Sequence, residues 1–343
     1  MQSTLIAVDL AKSVFEIAVS RKPGKVAERH RLSRAKFLQF FAERQPAVVL
    51  LEATGSAHHW GRRLRELGHE PVLLPPRPVQ RYRDGNKTDR TDTKALLEAS
   101  RNEDIRPVPL KSVAQQSLTS LHRLRSSWMS TRTARINTLR GLLRELGLTI
   151  PVGAKKVVPS VIALLADPQS DVPIALRPLL GEACEEIGEL EARIKTAERQ
   201  LEALGKEIPA VGWLRSIPGV GLLTATALVA FVGDVRRFPT ARHFACYLGL
   251  TPRERSSGTQ RRLGRISKRG DTYLRCLLTH GARAVLRAAH VVETPSPLHA
   301  WALGVEQRRN HKIAAIALAN KLARIVWTVW RQERPFDAKP AAN

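Results

Sequence analysis

The sequence predicts an α/β segment at the N-terminus, followed by a longer and mostly helical remainder. Short aliphatic runs alternate with helical patterns before residue 105, and beyond it leucines recur at helical spacing. Hydrophobic residues make up 43% of the 343 residues, which is enough for more than one core and excludes wholesale disorder. The predicted segments are an α/β domain at 1–105, a helical linker with a coiled coil at 106–208, a mostly helical C-terminal domain at 209–335 and a tail at 336–343.

Within the α/β segment, each element follows from a local pattern. Strands are predicted where apolar residues run together or alternate, at 5–10, 14–19, 25–32, 47–51 and 71–74. Helices are predicted at 35–44, 57–67 and 88–100. The resulting order, βββαβαβα, is typical of a mixed α/β layer fold, because consecutive strands precede alternating helices and strands.

A long helix is predicted over 111–148, since leucine, isoleucine and tryptophan recur there at intervals of three and four. This helix carries an arginine-rich flank with no acidic residue before Glu145. The arginines predicted to contact nucleic acid are Arg123, Arg125, Arg132, Arg135 and Arg140. The pattern leaves equally open that this is a core helix with an ordinary solvated face.

A heptad repeat follows the proline-punctuated connection at 151–178. Its seam alternates in steps of three and four through Ile187, Leu190, Ile194, Ala197, Leu201 and Leu204. The repeat indicates either self-association as a coiled coil or packing against the helix at 111–148. The sequence does not choose between these two interpretations.

Two further features lie beyond residue 211. The segment at 217–231 has the form of a helix-hairpin-helix, in which Gly219 and Gly221 permit a tight turn whose N–H groups can face a phosphate. A Pro-Gly turn between helices also occurs without any ligand. The helix at 313–330 is hydrophobic nearly all round and is predicted to belong to the core.

The charge balance points to a polyanionic partner. Lys and Arg number 56 against 31 Asp and Glu, a formal charge of +25, and clustered cations release counterions from a phosphate backbone. An anionic membrane surface is the competing explanation, but no basic terminal helix with aromatic anchors supports it. Cys184, Cys246 and Cys276 form no CxxC pair, which argues against a zinc ribbon or disulfide scaffold and fits a reducing cytosol.

Two acidic residues occupy strand positions in the α/β segment. Asp9 lies inside the first aliphatic run, where burying an unpaired carboxylate costs on the order of several kcal/mol. Glu52 follows another aliphatic strand and precedes a glycine turn, at the end of the strand where open α/β sheets bind ligands. A structural salt bridge is the ordinary explanation for either residue alone.

A second pair of acids, Asp89 and Asp92, lies three residues apart on one face of the last predicted helix of the segment. Capping by Thr88, with acids in the first turn, explains this pair without a ligand. Together with Asp9 and Glu52, the pair forms a set of four carboxylates. Mg²⁺ or another divalent cation prefers such oxygen ligands, so we predict a metal-dependent phosphoryl-transfer site.

A basic segment at 253–275 holds eight Lys and Arg against two acidic residues, a net charge of +6. Its predicted nucleic-acid contacts are Arg253, Arg255, Arg261, Arg262, Arg265, Lys268 and Arg269. Ser257, flanked by these cations, is a candidate nucleophile toward phosphorus, because guanidinium groups stabilise the developing negative charge. Ser256 is the alternative nucleophile, and a loop serine without function is the ordinary explanation for either.

Seven short motifs carry a family resemblance. Those of the N-terminal segment are Ala7-Val8-Asp9-Leu10-Ala11-Lys12, Leu51-Glu52-Ala53-Thr54-Gly55 and Asn86-Lys87-Thr88-Asp89-Arg90-Thr91-Asp92. Those of the C-terminal half are Ser216-Ile217-Pro218-Gly219-Val220-Gly221, Gly249-Leu250-Thr251-Pro252-Arg253, Ser257-Gly258 and Ile266-Ser267-Lys268-Arg269-Gly270. In this order and spacing they resemble the DEDD transposases of bacterial insertion sequences, specifically the one-ten family. A departure is Thr93, where that family usually has alanine.

The resemblance implies an N-terminal RuvC-like domain of RNase H fold and a C-terminal transposase domain bearing a serine. It gives the metal-binding positions to Asp9, Glu52, Asp89 and Asp92, and the nucleophile to Ser257. It also implies donor and target DNA as partners, together with a structured noncoding guide RNA from the element. A homodimer or homotetramer without a membrane partner is expected, in the bacterial cytoplasm and nucleoid-associated when acting.

Three functions compete on these grounds. A transposase or recombinase accounts for both the acids and the serine. A structure-specific metal-dependent nuclease resembling Holliday-junction resolvases accounts for the acids, while the C-terminal half only binds. A basic architectural protein leaves the acids unexplained. A covalent protein–DNA adduct distinguishes the first two, because an enzyme that activates water forms none.

Overall fold

The computed structural model describes residues 4–337. The chain separates into two compact units, Met1–Val113 and Ala114–Asn343. The predicted boundaries at 105, 208 and 335 stay predictions, and residues 338–343 of the predicted tail lie outside the described residues.

The first unit is built on a mixed five-stranded sheet in the order β3-β2-β1-β4-β5. Its strands are β1 (Leu5–Leu10), β2 (Val14–Ser20), β3 (Glu28–Ser33), β4 (Val48–Glu52) and β5 (Glu70–Leu74). β2 pairs antiparallel with β1 and β3, whereas β4 runs parallel to β1 and β5. The predicted order βββαβαβα is confirmed, and the chain is a mixed α/β protein.

Helices cover both faces of this sheet. They are α1 (Phe37–Ala42), α2 (Ala57–Glu66), α3 (Pro76–Val79) and α4 (Asp89–Ala99). Side chains alternate along each strand, so Val8 faces the core shared with α1 and α2, while Ala7 and Leu50 face α4. Because Ala7 and Ala95 are small, α4 approaches β1 closely, and this brings the N-terminus of α4 to the end of β1.

The second unit is mostly helical. Its helices are α5 (Val113–Glu145, beginning one residue before the boundary), α6 (Ala154–Ala166), α7 (Arg177–Lys206), α8 (Pro209–Arg215), α9 (Leu222–Val232), α10 (Ala241–Tyr247), α11 (Thr272–Ala289), α12 (Pro297–Arg308) and α13 (His311–Gln332). A two-stranded antiparallel ribbon, β6 (Pro252–Glu254) and β7 (Leu263–Ile266), lies between α10 and α11 in sequence. This ribbon was not predicted.

Helices α5 and α7 form an antiparallel pair. Leu139 of α5 shares a core cluster with Ile187 of α7 near one end, and Leu118 shares another with Leu201 near the other end. The seam of the heptad is therefore buried inside the chain, as the packing interpretation predicts. Three ion pairs, with N–O distances of 2.8, 3.3 and 2.6 Å, fix the register: Arg125–Glu198, Arg132–Glu191 and Arg135–Glu186.

His122 is fully buried where α5, α9 and α11 meet. Its Nδ1 lies 3.0 Å from the Tyr273 hydroxyl and its Nε2 lies 3.0 Å from Oγ1 of Thr226. Burial lowers the pKa of His122 from 6.5 to about 4, and the charge of Arg125 adds to this effect. The neutral imidazole thus joins three helices through its two ring nitrogens.

Acidification is expected to destabilise this junction. Between pH 6.5 and about 4 the unfolded chain binds a proton at His122 that the folded chain does not, so the free energy of unfolding decreases as the pH falls through this window. The loss at pH 5 relative to pH 7 is about 2 kcal/mol for one such histidine. Thermal unfolding from pH 5 to 7 should show a smaller pH slope in His122→Gln than in the wild type, and an unchanged slope would contradict the assignment.

Helix α13 packs against α10, α11 and α12, and its buried residues include Leu318 and Val326. Among the described helices, it alone is long and apolar enough by composition to cross a bilayer. Because it lies at the centre of the largest hydrophobic cluster, we describe it as a core helix, as predicted.

Candidate active site

Asp9 and Glu52 lie side by side at the ends of adjacent parallel strands. Val8 of β1 pairs with Leu51 of β4, and the two acids follow these residues directly. By the alternation of side chains, both acids lie on the face of the sheet that α4 covers. Each is half-buried.

Asp89 and Asp92 lie in the first turn of α4, which begins where Thr88 caps it. Oγ1 of Thr88 accepts a hydrogen bond from the Thr91 amide at 3.2 Å, and Oγ1 of Thr91 accepts one from the Thr88 amide at 3.0 Å. The predicted cap is therefore present. Helix α4 packs against β1 and β4, and the charges of Asp92, Asp89 and Glu52 all act on Asp9, so the four predicted carboxylates lie in one region of the sheet.

The negative charges in this cluster act on one another. Burial, followed in order of importance by the charges of Asp92, Asp89 and Glu52, raises the pKa of Asp9 from 3.8 to about 6. Burial and the charge of Asp92 also raise the pKa of Glu52. Lys87 opposes both shifts. Four mutually repelling acids in a protein of charge +25 are chemically suited to a divalent cation.

Arg83 is the cation that contacts this cluster. Its Nε lies 2.5 Å from Oδ1 of Asp92, and both side chains are about four-fifths buried. Among residues 4–337, no three acids, histidines or cysteines are close enough together to hold a metal ion in this arrangement. Four carboxylates are a suitable set of ligands for a divalent cation, although one of them, Asp92, is ion-paired with Arg83.

Sequence reasoning missed Glu16 and Arg29 beside the cluster. Glu16 lies opposite Asp9 across β1 and β2, is nearly buried, and has an oxygen 3.9 Å from Nη1 of Arg29. The same Arg29 nitrogen donates to Oγ1 of Thr93 at 3.4 Å, so the departure at Thr93 has a partner. Cross-strand pairing from Asp9 was the signal that could have identified Glu16.

The two candidate nucleophiles, Ser256 and Ser257, lie near the tip of the ribbon, and their surroundings differ. Oγ of Ser256 donates to Oε1 of Glu254 at 2.8 Å and accepts from the Arg262 amide at 3.2 Å. Ser257 pairs through its backbone with Gln260 across the tip. Its exposed hydroxyl has no hydrogen-bond partner within the described part of the chain.

Basic side chains cover the ribbon around these serines. The predicted contacts lining one shallow cavity along it are Arg253, Arg255, Arg262, Arg265 and Lys268. Arg261 lies 3.4 Å from the Glu254 carboxylate, and Arg269 is exposed just beyond β7. All seven predicted cations of this segment therefore lie on or beside the ribbon.

The arginines predicted on α5 are mostly engaged within the chain. Arg125, Arg132 and Arg135 pair with glutamates of α7, and Arg140 donates to the carbonyls of Pro151 and Gly153. Arg123 is exposed. Contact of these five residues with nucleic acid stays a prediction.

The hairpin glycine Gly219 makes a close backbone contact. Its φ is +81°, and a Cβ there would lie 2.8 Å from the carbonyl oxygen of Gly281 in α11. This packing explains Gly219 without a phosphate. Gly221, at the start of α9, is exposed, and phosphate binding at either glycine is a prediction.

Two further glycines bring the base of the ribbon together. Gly249 has φ of +71°, and a Cβ there would lie 2.1 Å from the Arg269 carbonyl oxygen. A Cβ on Gly270 would lie 2.0 Å from the Tyr247 carbonyl oxygen. Backbone therefore packs directly on backbone where two of the sequence motifs meet.

We expect Gly249→Ala to lower the free energy of unfolding by roughly 2 to 4 kcal/mol, because it adds both a clash and a strained φ. Gly264→Ala is the matched control in the same ribbon: its Cβ would lie 3.8 Å from the nearest atom, the Arg253 carbonyl oxygen. Its expected effect is within about 0.5 kcal/mol. Thermal or denaturant unfolding measures both, and equal effects would contradict the packing role of Gly249.

Known protein families match both the segment with the carboxylate cluster and the segment with the ribbon. A family model of DEDD transposases of the IS110 type matches residues 6–147, which include all four carboxylates. The model of the transposase IS116/IS110/IS902 family matches residues 212–295, which include the ribbon.

Three relatives are similar over almost their whole length. A probable family 20 transposase of Pseudomonas aeruginosa is 42% identical over 335 residues, covering 97% of this chain and 98% of that protein. The transposase for insertion sequence element IS1111A of Coxiella burnetii is 36% identical, covering 97% and 91%. The transposase for IS1328 of Yersinia enterocolitica is 34% identical, covering 97% and 98%.

Proposed function

The chain belongs to the IS110 family of transposases, enzymes that cut and join DNA strands, and from that premise we propose that it recombines DNA through a covalent bond to Ser257. The observation that carries the proposal is an exposed serine hydroxyl, without a hydrogen-bond partner in residues 4–337, at the tip of an arginine-rich ribbon. The guanidinium groups around it stabilise negative charge on an attacked phosphate.

In the first step, Oγ of Ser257 attacks a backbone phosphorus and forms a phosphoserine ester. The bond from phosphorus to the leaving deoxyribose oxygen breaks, that oxygen takes up a proton, and the serine loses its own. In the second step, a hydroxyl of another strand end attacks the phosphoserine and releases Ser257. The number of phosphoester bonds is unchanged, so joining needs no external energy source.

Asp9, Glu52, Asp89 and Asp92 would hold Mg²⁺ or another divalent cation, which supplies charge stabilisation for phosphoryl transfer. The shared negative charge of the cluster supports this assignment, since a cation relieves the repulsion that raises the pKa of Asp9. Arg83 pairs with Asp92 and would neutralise part of the negative charge of the cluster beside the cation.

The remaining expectations of the family complete the proposal. The five-stranded sheet with its acid-bearing strand ends is compatible with a RuvC-like domain of RNase H fold. A structured noncoding RNA of the element would select donor and target DNA, and the basic ribbon suits either polyanion. The protein would act at the nucleoid as a homodimer or homotetramer; because the α7 seam is buried within the chain, assembly would use other surfaces.

A cleavage assay distinguishes this function from a resolvase-like nuclease. The full chain is incubated with element-end DNA, Mg²⁺ and the RNA of the noncoding end, and the products are denatured and resolved with and without protease. The proposal predicts protease-sensitive DNA of retarded mobility. Cleavage that leaves only free, protein-less ends would instead support water-activating hydrolysis and reject the serine step.

A further inference from the structure

A groove of about 1,040 Å³ lies at the base of the ribbon, between the ribbon and helix α13. The amide of Asn320 donates to the Leu250 carbonyl at 3.1 Å and fixes the ribbon base to α13 along one side of it. All of the residues that line the groove belong to the second unit.

The floor of the groove is apolar. Ile313, Ile316 and Ala317 of α13 are spaced three and four residues apart, so they present one face of the helix to the groove. Ile313 is 49% exposed, although the sequence predicted α13 to be core nearly all round. Ile266 of the ribbon and the ring of Trp301 continue this apolar surface.

The rim of the groove is cationic. The charged side chains that line it are Arg265, Lys268, Lys312, Lys321 and Arg324, and none of the lining residues is acidic. Lys321 also lies over the Trp301 ring, with its Nζ 4.4 Å from the ring centroid. An apolar floor between cations is complementary to a ligand that combines flat apolar groups with regularly spaced negative charges.

Single-stranded nucleic acid has this chemistry. Its unpaired bases can be buried on an apolar surface while its phosphates meet the cations, whereas a duplex keeps its bases stacked and paired inside. An apolar protein segment would leave five cations without partners, which is unfavourable where they are desolvated. The charge of the rim therefore selects the polyanion over a second copy of this chain, whose charge is +25.

We propose that this groove binds unpaired nucleotides of the DNA strand cut at Ser257. One ribbon carries both features, since Ser257 lies at its tip and Pro252, Arg265 and Ile266 line the groove at its base. A strand joined to Ser257 would follow the arginines of the ribbon into the groove. The inference rests on the proposed serine function, which gives the strand its identity.

Binding to a fluorescent 12-nucleotide oligodeoxynucleotide, followed by anisotropy, tests the floor. The double variant Ile313→Ser/Ile316→Ser is expected to bind the single strand about tenfold more weakly, because the apolar contact area of two partly buried isoleucines contributes on this scale. Its affinity for a duplex of the same sequence should change less than about twofold. Val152→Ser, at a 91%-exposed valine elsewhere in the unit, is the matched control and should bind normally.

The rim is tested through the salt dependence of the same binding. Lys321→Gln/Arg324→Gln is expected to reduce the slope of log affinity against log salt by about 1.4, as for two single-strand phosphate contacts. Lys155→Gln/Lys156→Gln removes the same charge from exposed positions on α6 and should leave the slope unchanged. Thermal unfolding of each variant verifies that the fold is intact.

Several results would overturn the inference. One is an equal loss of affinity for the single strand and for the duplex. Another is tighter binding of RNA than of DNA of the same sequence. A third is an altered sedimentation coefficient of the isoleucine variant with unchanged DNA binding. Covalent adduct formation is measured in parallel. Normal single-strand binding by the groove variants, with an adduct on Ser257, rejects only the groove; groove-dependent binding without any adduct rejects the serine function and the identity of the bound strand.

Discussion

Replacing Ser257 with alanine is expected to abolish the covalent protein–DNA adduct and the joining of strands. Removing a nucleophile reduces turnover by roughly 10³-fold or more, and the adjacent Ser256 hydroxyl is already engaged with Glu254 and the Arg262 amide. DNA binding should stay within about twofold, since the hydroxyl is one small group among the many phosphate contacts proposed for the ribbon. Adduct yield on denaturing gels and affinity by anisotropy give the two readouts.

Ser256→Ala is the matched control for this experiment. It removes the hydroxyl that joins Glu254 to the Arg262 amide, and its loss should loosen the ribbon tip. The hydrogen bond from Ser256 and the charge of Arg261 lower the pKa of Glu254, so this carboxylate is a weak base for activating Ser256. We expect reduced but measurable adduct; full activity in Ser257→Ala with none in Ser256→Ala would reverse the roles.

Asp9→Asn is expected to remove activity and to stabilise the protein. Loss of one of the four carboxylates proposed to bind the metal should lower strand cleavage by roughly a hundredfold or more. In EDTA at pH 7.5, the same change removes a buried charge repelled by Asp92, Asp89 and Glu52, with Glu16 opposite it on β2. The free energy of unfolding should rise by about 1 kcal/mol, since solvent screens this half-exposed group.

The pH dependence of the increase in unfolding free energy shows whether the ionised Asp9 carboxylate causes it. The raised pKa of Asp9 means that the folded chain binds a proton more tightly than the unfolded chain between pH 3.8 and about 6. The stability difference between Asp9→Asn and the wild type should thus be full above pH 6 and should vanish below pH 4. Added Mg²⁺ should stabilise the wild type more than the variant. A gain independent of pH, or equal stabilisation by Mg²⁺, would contradict the cluster.

The sheet could be predicted from the sequence because its strands are aliphatic. Residues 6–8 of β1 and 49–51 of β4 are buried whichever face of the sheet they point to, so the two strands read as continuous apolar runs, and an acid near the end of each run is conspicuous. The positions of Asp9 and Glu52 at adjacent strand ends follow from the same pattern. Arg83, the ion-pair partner of Asp92, could not be inferred, because it comes from an irregular segment before α4 whose path depends on tertiary packing.

The ribbon could not be predicted, for the opposite reason. Pro252–Glu254 is fully exposed and Leu263–Ile266 nearly so, and their side chains are mostly polar or glycine. No alternation of apolar residues marks these strands, because neither face of the ribbon is buried. Close backbone packing at Gly249 and Gly270 stabilises its base instead. The sequence gives no sign of this packing beyond two glycines close to arginines.

The groove beside α13 could not be predicted either, because apolar patterns in the sequence do not show which apolar side chains stay exposed. An isoleucine in a helix that is apolar on most sides predicts burial, but Ile313 is 49% exposed and lines the groove between α13 and the ribbon. The distinction between Ser256 and Ser257 was equally inaccessible. It depends on a hydrogen bond from one hydroxyl to Glu254, and adjacent identical residues give no sign of it.

The most direct test of the account is to identify the residue that carries DNA after the reaction. Wild-type protein is denatured during cleavage of element-end DNA, digested with nuclease and protease, and the modified peptide is sequenced by mass spectrometry. The account predicts a nucleotide remnant on Ser257. A remnant on Ser256 or on any other side chain, or cleaved DNA with no modified peptide, would contradict it.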